Sequence, residues 1–299
     1  MERRIKLGHP HWWQWLVILS LDAPLVALVW QALFARILYV DLPWHQPTLL
    51  GLAVWVIYVA DRWIEGWLLK PESVQTQRHH FYIAWRWPVL GVSIAAVLLA
   101  LTIAMTHLPS REWVASLILV LPTLAYLLSH QFVHRGHPLR VPKELCIASL
   151  FALGTVLAPA VFALPPELSF GHAVHVIGSA RFSPIGLPLG LFGLLCLTNL
   201  VLISAWEKEV DVRHGQTSLA LQLSSRRQFI HGLPWLLALL GLSTAMRSRG
   251  MVQMTELCVV MSALFLGVLD RFEYRIGRQA ARALVDLTLL TPIAVLLLT

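Results

Sequence analysis

Long apolar runs, each about the length of a membrane-crossing helix, alternate with short polar segments along the whole chain. A helix needs about 20 mostly apolar residues to cross the hydrocarbon of a bilayer. Nine runs meet that need, near residues 13–40, 47–65, 87–106, 113–130, 144–164, 184–205, 229–247, 251–269 and 283–299. The pattern predicts an all-α polytopic membrane bundle forming one domain over residues 1–299. The first run contains Asp22 and Pro24, so a kink or an interfacial start is expected there. Its opening, MERRIK, looks like the basic region of a signal peptide. The apolar stretch after it is too long and lacks a small-residue cleavage site, which reads as a retained first span.

Composition narrows the class further. Hydrophobic residues make up 57% of the chain and charged residues 13%, against about 25% charged in soluble domains. With a mean hydropathy of +0.68, there are too few charges to cover a water-exposed globule. Cys146, Cys196 and Cys258 lie far apart in apolar runs with no CxxC pair, which excludes a disulfide framework or zinc site as an organising principle. The net charge is +7, and nine spans sort it by side. Arg3, Arg4, Lys6, Arg62, Lys70, Arg78, Arg86, Arg135, Arg140, Lys143, Lys208, Arg213, Arg226, Arg227, Arg271, Arg275, Arg278 and Arg282 fall on one side. Only Arg36, Arg111, Arg181, Arg247 and Arg249, of 23 Lys and Arg, fall on the other. This asymmetry places the N-terminus and the basic loops in the cytoplasm, at the cytoplasmic (inner) membrane of a bacterium. The basic charge is thereby read as topology and contact with the lipid bilayer, and not as a nucleic-acid surface.

Two helix ends on the basic side carry the chemistry. In YVADRWIEGW, Asp61 and Glu65 are four apart and share one helix face; in ISAWEKEVDVRHGQT, Glu207 and Asp211 do the same. Like charges at that spacing repel and give an isolated helix nothing, and ionisable groups near hydrocarbon are costly. Taken singly, each pair also reads as a solvated helix end. Facing each other across a bundle, the two pairs would form an oxygen-only site suited to Mg2+ and substrate phosphates.

On these residues the chain resembles the UbiA superfamily of intramembrane prenyltransferases, proteins of nine transmembrane helices with acidic motifs at the cytoplasmic ends of the second and sixth spans. The family's second motif, approximately D-x-x-x-D-x-x-x-G-x-x-T, is similar to Glu207, Asp211 and Gly215, with Thr217 one place early and Ser218 after it. VPKELCIASLFALG resembles the family's fifth span, entered at Lys143. The sequence departs from the pattern where Ile57 and Ile203 replace amides, where Glu65 and Glu207 replace Asp, and where Tyr126 and His130 stand for a Tyr-x-x-x-Lys element. The resemblance implies a UbiA-like fold and transfer of an isoprenyl group from its diphosphate to a lipophilic, often aromatic, acceptor. It implies Mg2+ on Asp61, Glu65, Glu207 and Asp211. Arg62, Lys143, Lys208 and Arg213 would neutralise the diphosphate, with Tyr126 and His130 also at the substrate. Trp55, Tyr58, Trp63 and Trp206 are candidates to face an allylic cation, although membrane-interface anchoring explains most Trp residues equally well.

Other readings stay open beside this one. A UbiA-like protein without catalysis, serving as a binding or assembly partner, keeps the same spans. His130, His134 and His137, with His79 and His80, invite a di-iron reading, but only one cluster has helical spacing. Asp22, Glu256 and Asp286 fall inside spans, as in a transporter, or bond internally to Ser, Thr or Gln. RFEYRIGRQAARALVD reads as a basic amphipathic connector on the cytoplasmic surface. Acceptor, prenyl length and oligomeric state are not encoded in any motif of the chain.

Overall fold

Hydrocarbon offers no water to a backbone, so apolar runs must close their hydrogen bonds internally as helices. The computed structural model describes residues 11–68, 77–129, 142–165, 183–208, 218–223 and 227–298, without the side chains of Glu65, Leu68, Gln77, Arg78, His79 and Arg227. Its long helices are α1 (Asp22–Ile37), α2 (His45–Leu68), α3 (Arg86–His107), α4 (Ser110–Leu128), α5 (Lys143–Ala163), α6 (Ser183–Trp206), α7 (Arg227–Ala245), α8 (Gly250–Ile276) and α9 (Arg278–Leu298). Among the described residues there is no strand. Eight of these helices are long and apolar enough to cross a membrane, and α1 joined to the bent segment before it makes a ninth. The chain is an integral membrane protein of the all-α class, as the hydropathy pattern predicts.

The first span is broken, not continuous. The short helical turns of Trp12–Ile18 meet α1 at 77°. The break is a Schellman-type stop: Leu21 N–H bonds Leu16 O, Ser20 N–H bonds Val17 O, and Ser20 takes φ +56°. Ser20 is not glycine, so its left-handed backbone needs outside support. Tyr82 Oη lies 3.0 Å from its hydroxyl, and the Trp55 indole donates to Leu19 O at 3.0 Å. What remains, the 16 residues of α1, is about 24 Å long, shorter than the roughly 30 Å hydrocarbon core. Asp22 therefore opens a helix too short to cross that core by itself.

α1 is the central post of the bundle, packed against α2, α5, α6, α8 and α9. Trp30, Leu33 and Phe34 are fully buried on it, and Trp30 stacks on Phe192 of α6 with ring centroids 4.1 Å apart. Without a hydrophobic force between helices in lipid, such packing and buried hydrogen bonds do the holding. α3 and α4 lie outermost, with Ile94, Leu98, Leu101, Leu117, Leu121 and Leu124 exposed along them. Thr102 and Thr123 on these helices satisfy their hydroxyls on carbonyls four residues back.

α9 departs most from expectation. Arg278–Val285 is helical but does not lie on the surface: Ala281 and Val285 are fully buried. A tight 3-10 stretch, Asp286–Leu290, follows before the helix resumes at Pro292. The Trp30 indole donates to Leu289 O at 2.8 Å, and the Thr291 hydroxyl donates to Cys258 O at 2.9 Å. The last span thus starts earlier than its apolar run, because Arg282 finds partners inside the bundle.

α7 packs on α8 at Gly267, where an added Cβ would stand 2.8 Å from the Trp235 ring. Gly267→Ala should lower stability by about 1–3 kcal/mol through overpacking, read as a reduced thermal unfolding temperature in detergent. Gly91→Ala, which meets nothing within 4 Å, should leave that temperature unchanged or slightly raised.

Candidate functional site

The two interrupted helices meet. The break before α1 puts Asp22 in the first turn of that helix at 2% exposure. Asp286 stands where α9 tightens. The two carboxyls lie within electrostatic reach of each other. Asp286 also accepts from Asn199 Nδ2 at 2.7 Å and from Arg282 Nη1 at 3.0 Å. Arg282 is four residues before Asp286, so one helical turn aligns the two side chains. Its Nε lies 3.9 Å from Glu207 Oε1 on the residue after α6. Asn199 is eight residues before Glu207 on α6, about 12 Å deeper along the axis. Arg282 spans the interval between an inner group, Asp22, Asp286 and Asn199, and an outer acidic end at Glu207.

α2 closes the other wall. Tyr58 lines a cavity of about 40 Å³ together with Ala23, Phe151, Asn199, Arg282 and Asp286; Val26, Leu200, Ile203 and Leu289 make its apolar part. Arg62, one turn on from Tyr58, has its guanidinium 6.0 Å from the phenol ring centroid. It is only 6% exposed, and its Nε has no hydrogen-bond partner among the described residues. An arginine normally snorkels from such a depth. Here it is held beside the acidic group instead.

The residues expected from the sequence divide accordingly. Asp61 and Arg62 sit on the part of α2 that borders the cavity through Tyr58, and Asp61 is half-buried with an interaction of its own. Glu207 is half-buried beside Arg282. Lys143 opens α5, half-buried and engaged, while Lys208 is exposed. Tyr126 is half-buried near the end of α4 and is not among the cavity-lining residues. The side chain of Glu65, and Asp211, Arg213, His130, His134 and His137, lie outside the described residues. Of the aromatic candidates, Tyr58 faces the cavity. Trp55 bonds Leu19 O, Trp63 bonds Arg86 O, and Trp206 donates to Asp270 at 2.9 Å. Among the described residues, no three His, Cys, Asp or Glu side chains gather around one metal position.

Glu144 braces this end of the molecule. It is 1% exposed, and its Oε1 accepts from Ser204 Oγ at 2.9 Å and from Leu219 N–H at 3.0 Å. It therefore ties α6 to the chain returning after the second acidic motif. The inner group of Asp22, Asn199, Arg282 and Asp286 was not assembled by sequence reasoning. The available signal was the i, i+4 pairing of Arg282 with Asp286 where the last span begins, a costly placement for two charges without partners.

No family model matches the sequence, and no curated protein matches it. The solved structures do: the apo structure of a UbiA homolog from Aeropyrum pernix K1 superposes with a TM-score of 0.61, over 92% of this chain and 98% of that one, at 13% identity. The protein has the UbiA fold. At that identity the likeness concerns the path of the backbone and leaves the chemistry to be argued from the side chains. In this UbiA-fold protein the ends of α2 and α6 carry carboxylates, with a cavity lined by half-buried Arg282 and the buried Arg62 near it.

Arg282→Met should destabilise the protein by about 3–5 kcal/mol, because it strands the buried Asp286 carboxylate. The double variant Arg282→Met/Asp286→Leu should recover most of that loss. Denaturant unfolding in mixed micelles, followed by Trp fluorescence, measures both.

Proposed function

We propose that the protein is an intramembrane prenyltransferase, moving an isoprenyl group from its diphosphate to a lipophilic acceptor with Mg2+. The observation that carries this reading is the placement of Arg62 and Arg282, both withdrawn from water, between acidic helix ends and an apolar-walled cavity. Asp61 and Glu207 are oxygen donors of the kind Mg2+ prefers. Among the described residues Glu207 is held by a loose 3.9 Å ion pair, which leaves its oxygens able to turn to a cation. With Glu65 and Asp211 as the other two donors and phosphate oxygens completing the shell, the donor set fits the ion in its chemistry. Bound there, Mg2+ would supply positive charge against the departing diphosphate.

The chain's own residues would do the rest. Arg62, with Lys143, Lys208 and Arg213, would neutralise the diphosphate oxygens as the C–O bond opens. Tyr58 would turn its ring to the allylic cation left behind. Val26, Phe151, Leu200 and Leu289 exclude water from the reacting carbon. The proposal places the N-terminus and the basic loops in the cytoplasm, at a bacterial inner membrane, where a water-soluble diphosphate head can reach the helix ends.

A second reading rests on the cavity itself. A volume of about 40 Å³ holds about three water molecules, not a prenyl chain. A binding or assembly protein needs no more, whereas an enzyme must part α1, α2 and α9 to admit its substrate. Purified protein in lipid nanodiscs with Mg2+, labelled prenyl diphosphates of several lengths and a bacterial lipid extract separates the two. The enzyme yields labelled lipid, stops with chelator, and loses about 100-fold or more of its rate in Asp61→Asn and Glu207→Gln. No product and no diphosphate binding would leave the non-catalytic reading.

A further inference from the structure

One arginine on the basic side of the bundle has no part in the reading above. Arg86 is the first residue of α3 and stands exposed at the end of that span. Its guanidinium carbon lies 4.9 Å from the Trp67 ring centroid and 5.7 Å from that of Trp87. The two indoles meet edge to face, with centroids 6.2 Å apart. Trp63, one turn before Trp67 on α2, donates its indole N–H to Arg86 O at 3.0 Å, and its ring lies 5.6 Å from that of Trp67. Three rings thus fix both the backbone and the side chain of one arginine. The guanidinium itself makes no hydrogen bond or ion pair with any described residue.

We propose that Arg86, held between Trp67 and Trp87, binds the phosphate of an anionic phospholipid in the leaflet on the basic side of the membrane. This site does not rest on the prenyl-transfer reading.

The chemistry of the group points to a phosphate. A guanidinium carries its N–H donors in a planar fork that meets two phosphate oxygens at once. Stacked on aromatic faces, it keeps those edges open and its plane set before a ligand arrives. Less side-chain freedom is then lost on binding. The surroundings point to a lipid. Trp67 and Trp87 are both exposed, and Ile94, Val97 and Leu101 continue along one side of α3 as an exposed apolar strip. Acyl chains fit that strip, and a free phosphate gains nothing from it. Anionic headgroups also concentrate where a membrane protein carries its excess of Lys and Arg.

Two simpler accounts explain less. Anchoring at the membrane interface accounts for exposed indoles, but it needs no arginine between them and is indifferent to headgroup charge. A clasp between α2 and α3 is already supplied by the Trp63 bond to Arg86 O, and it gives no reason for a guanidinium without a polar partner. Topology requires positive charge on this side, yet not charge held in one orientation.

Native mass spectrometry of the detergent-solubilised protein tests the site. The probes are phosphatidylglycerol and phosphatidylcholine with matched acyl chains; the second carries the same phosphate, with a trimethylammonium that cancels its charge. Wild type should bind its first phosphatidylglycerol about tenfold more tightly than phosphatidylcholine, the effect of one charge-assisted contact. Arg86→Gln should bring the two lipids to within about twofold of each other. Arg86→Lys keeps the charge without the fork and should retain only part of the preference. Trp67→Leu/Trp87→Leu keeps every charge, yet should weaken the preference because the guanidinium loses its guides. Arg271→Gln removes another exposed positive charge from the same side and should behave as wild type. Should the double Trp variant fail to fold, the variants of exposed Arg86 carry the test. Equal binding of both lipids to wild type, a preference that persists in Arg86→Gln, or an equal loss in Arg271→Gln overturns the assignment. So does displacement of phosphatidylglycerol by inorganic phosphate, which would mark a site for a free anion.

Discussion

Arg282 holds the interior of this protein together. One guanidinium faces Asp286 through Nη1 at 3.0 Å and Glu207 through Nε at 3.9 Å. Hydrocarbon tolerates charge only when it is paired, and this contact lets a final helix that begins Arg278–Val285 enter the bundle instead of lying on its surface. The inner carboxyls, the cavity and the placement of α9 all depend on it. Removing one partner strands the others, which is why the arrangement acts as a unit and not as a sum of separate ion pairs.

The same constraint explains where the backbone breaks. α1 starts late, after a left-handed Ser20, and α9 tightens at Asp286–Leu290. Each irregular stretch has a group claimed by a specific side chain: Tyr82 and Trp55 at the first, Trp30 at the second. Trp30 also stacks on Phe192. One indole therefore fixes both the central α1–α6 packing and the irregular turn that presents Asp286. Packing and polar chemistry are not separate layers here, since the residues that fill the core also satisfy the broken backbone.

The likeness to the UbiA homolog from Aeropyrum pernix K1 extends over almost the whole chain and concerns the fold. Against that shared backbone, the side chains of this protein hold two arginines under the acidic helix ends and a carboxyl pair under the arginines. From the helix end inward stand exposed Lys208, half-buried Glu207, Arg282 and then buried Asp22.

Hydropathy determined the spans. Six of the nine expected runs match helices to within three residues at each end, because a bilayer imposes one length and one periodicity that any stretch must meet by itself. Composition determined the class, and the alternation of basic loops is consistent with helix ends that bring Asp61, Lys143 and Glu207 to one side. Tertiary structure alone decided the inner group. Asp22, Asn199, Arg282 and Asp286 lie on three helices, separated by up to 264 positions in sequence; Asp22 and Asp286 read singly as polar residues inside spans, and Arg282 as part of a basic surface connector. Which of them meet depends on where α1 breaks and how deep α9 sits, and both follow from contacts between distant helices. Local pattern carries what each segment must do alone in lipid; it carries nothing of the partners that make a buried charge affordable.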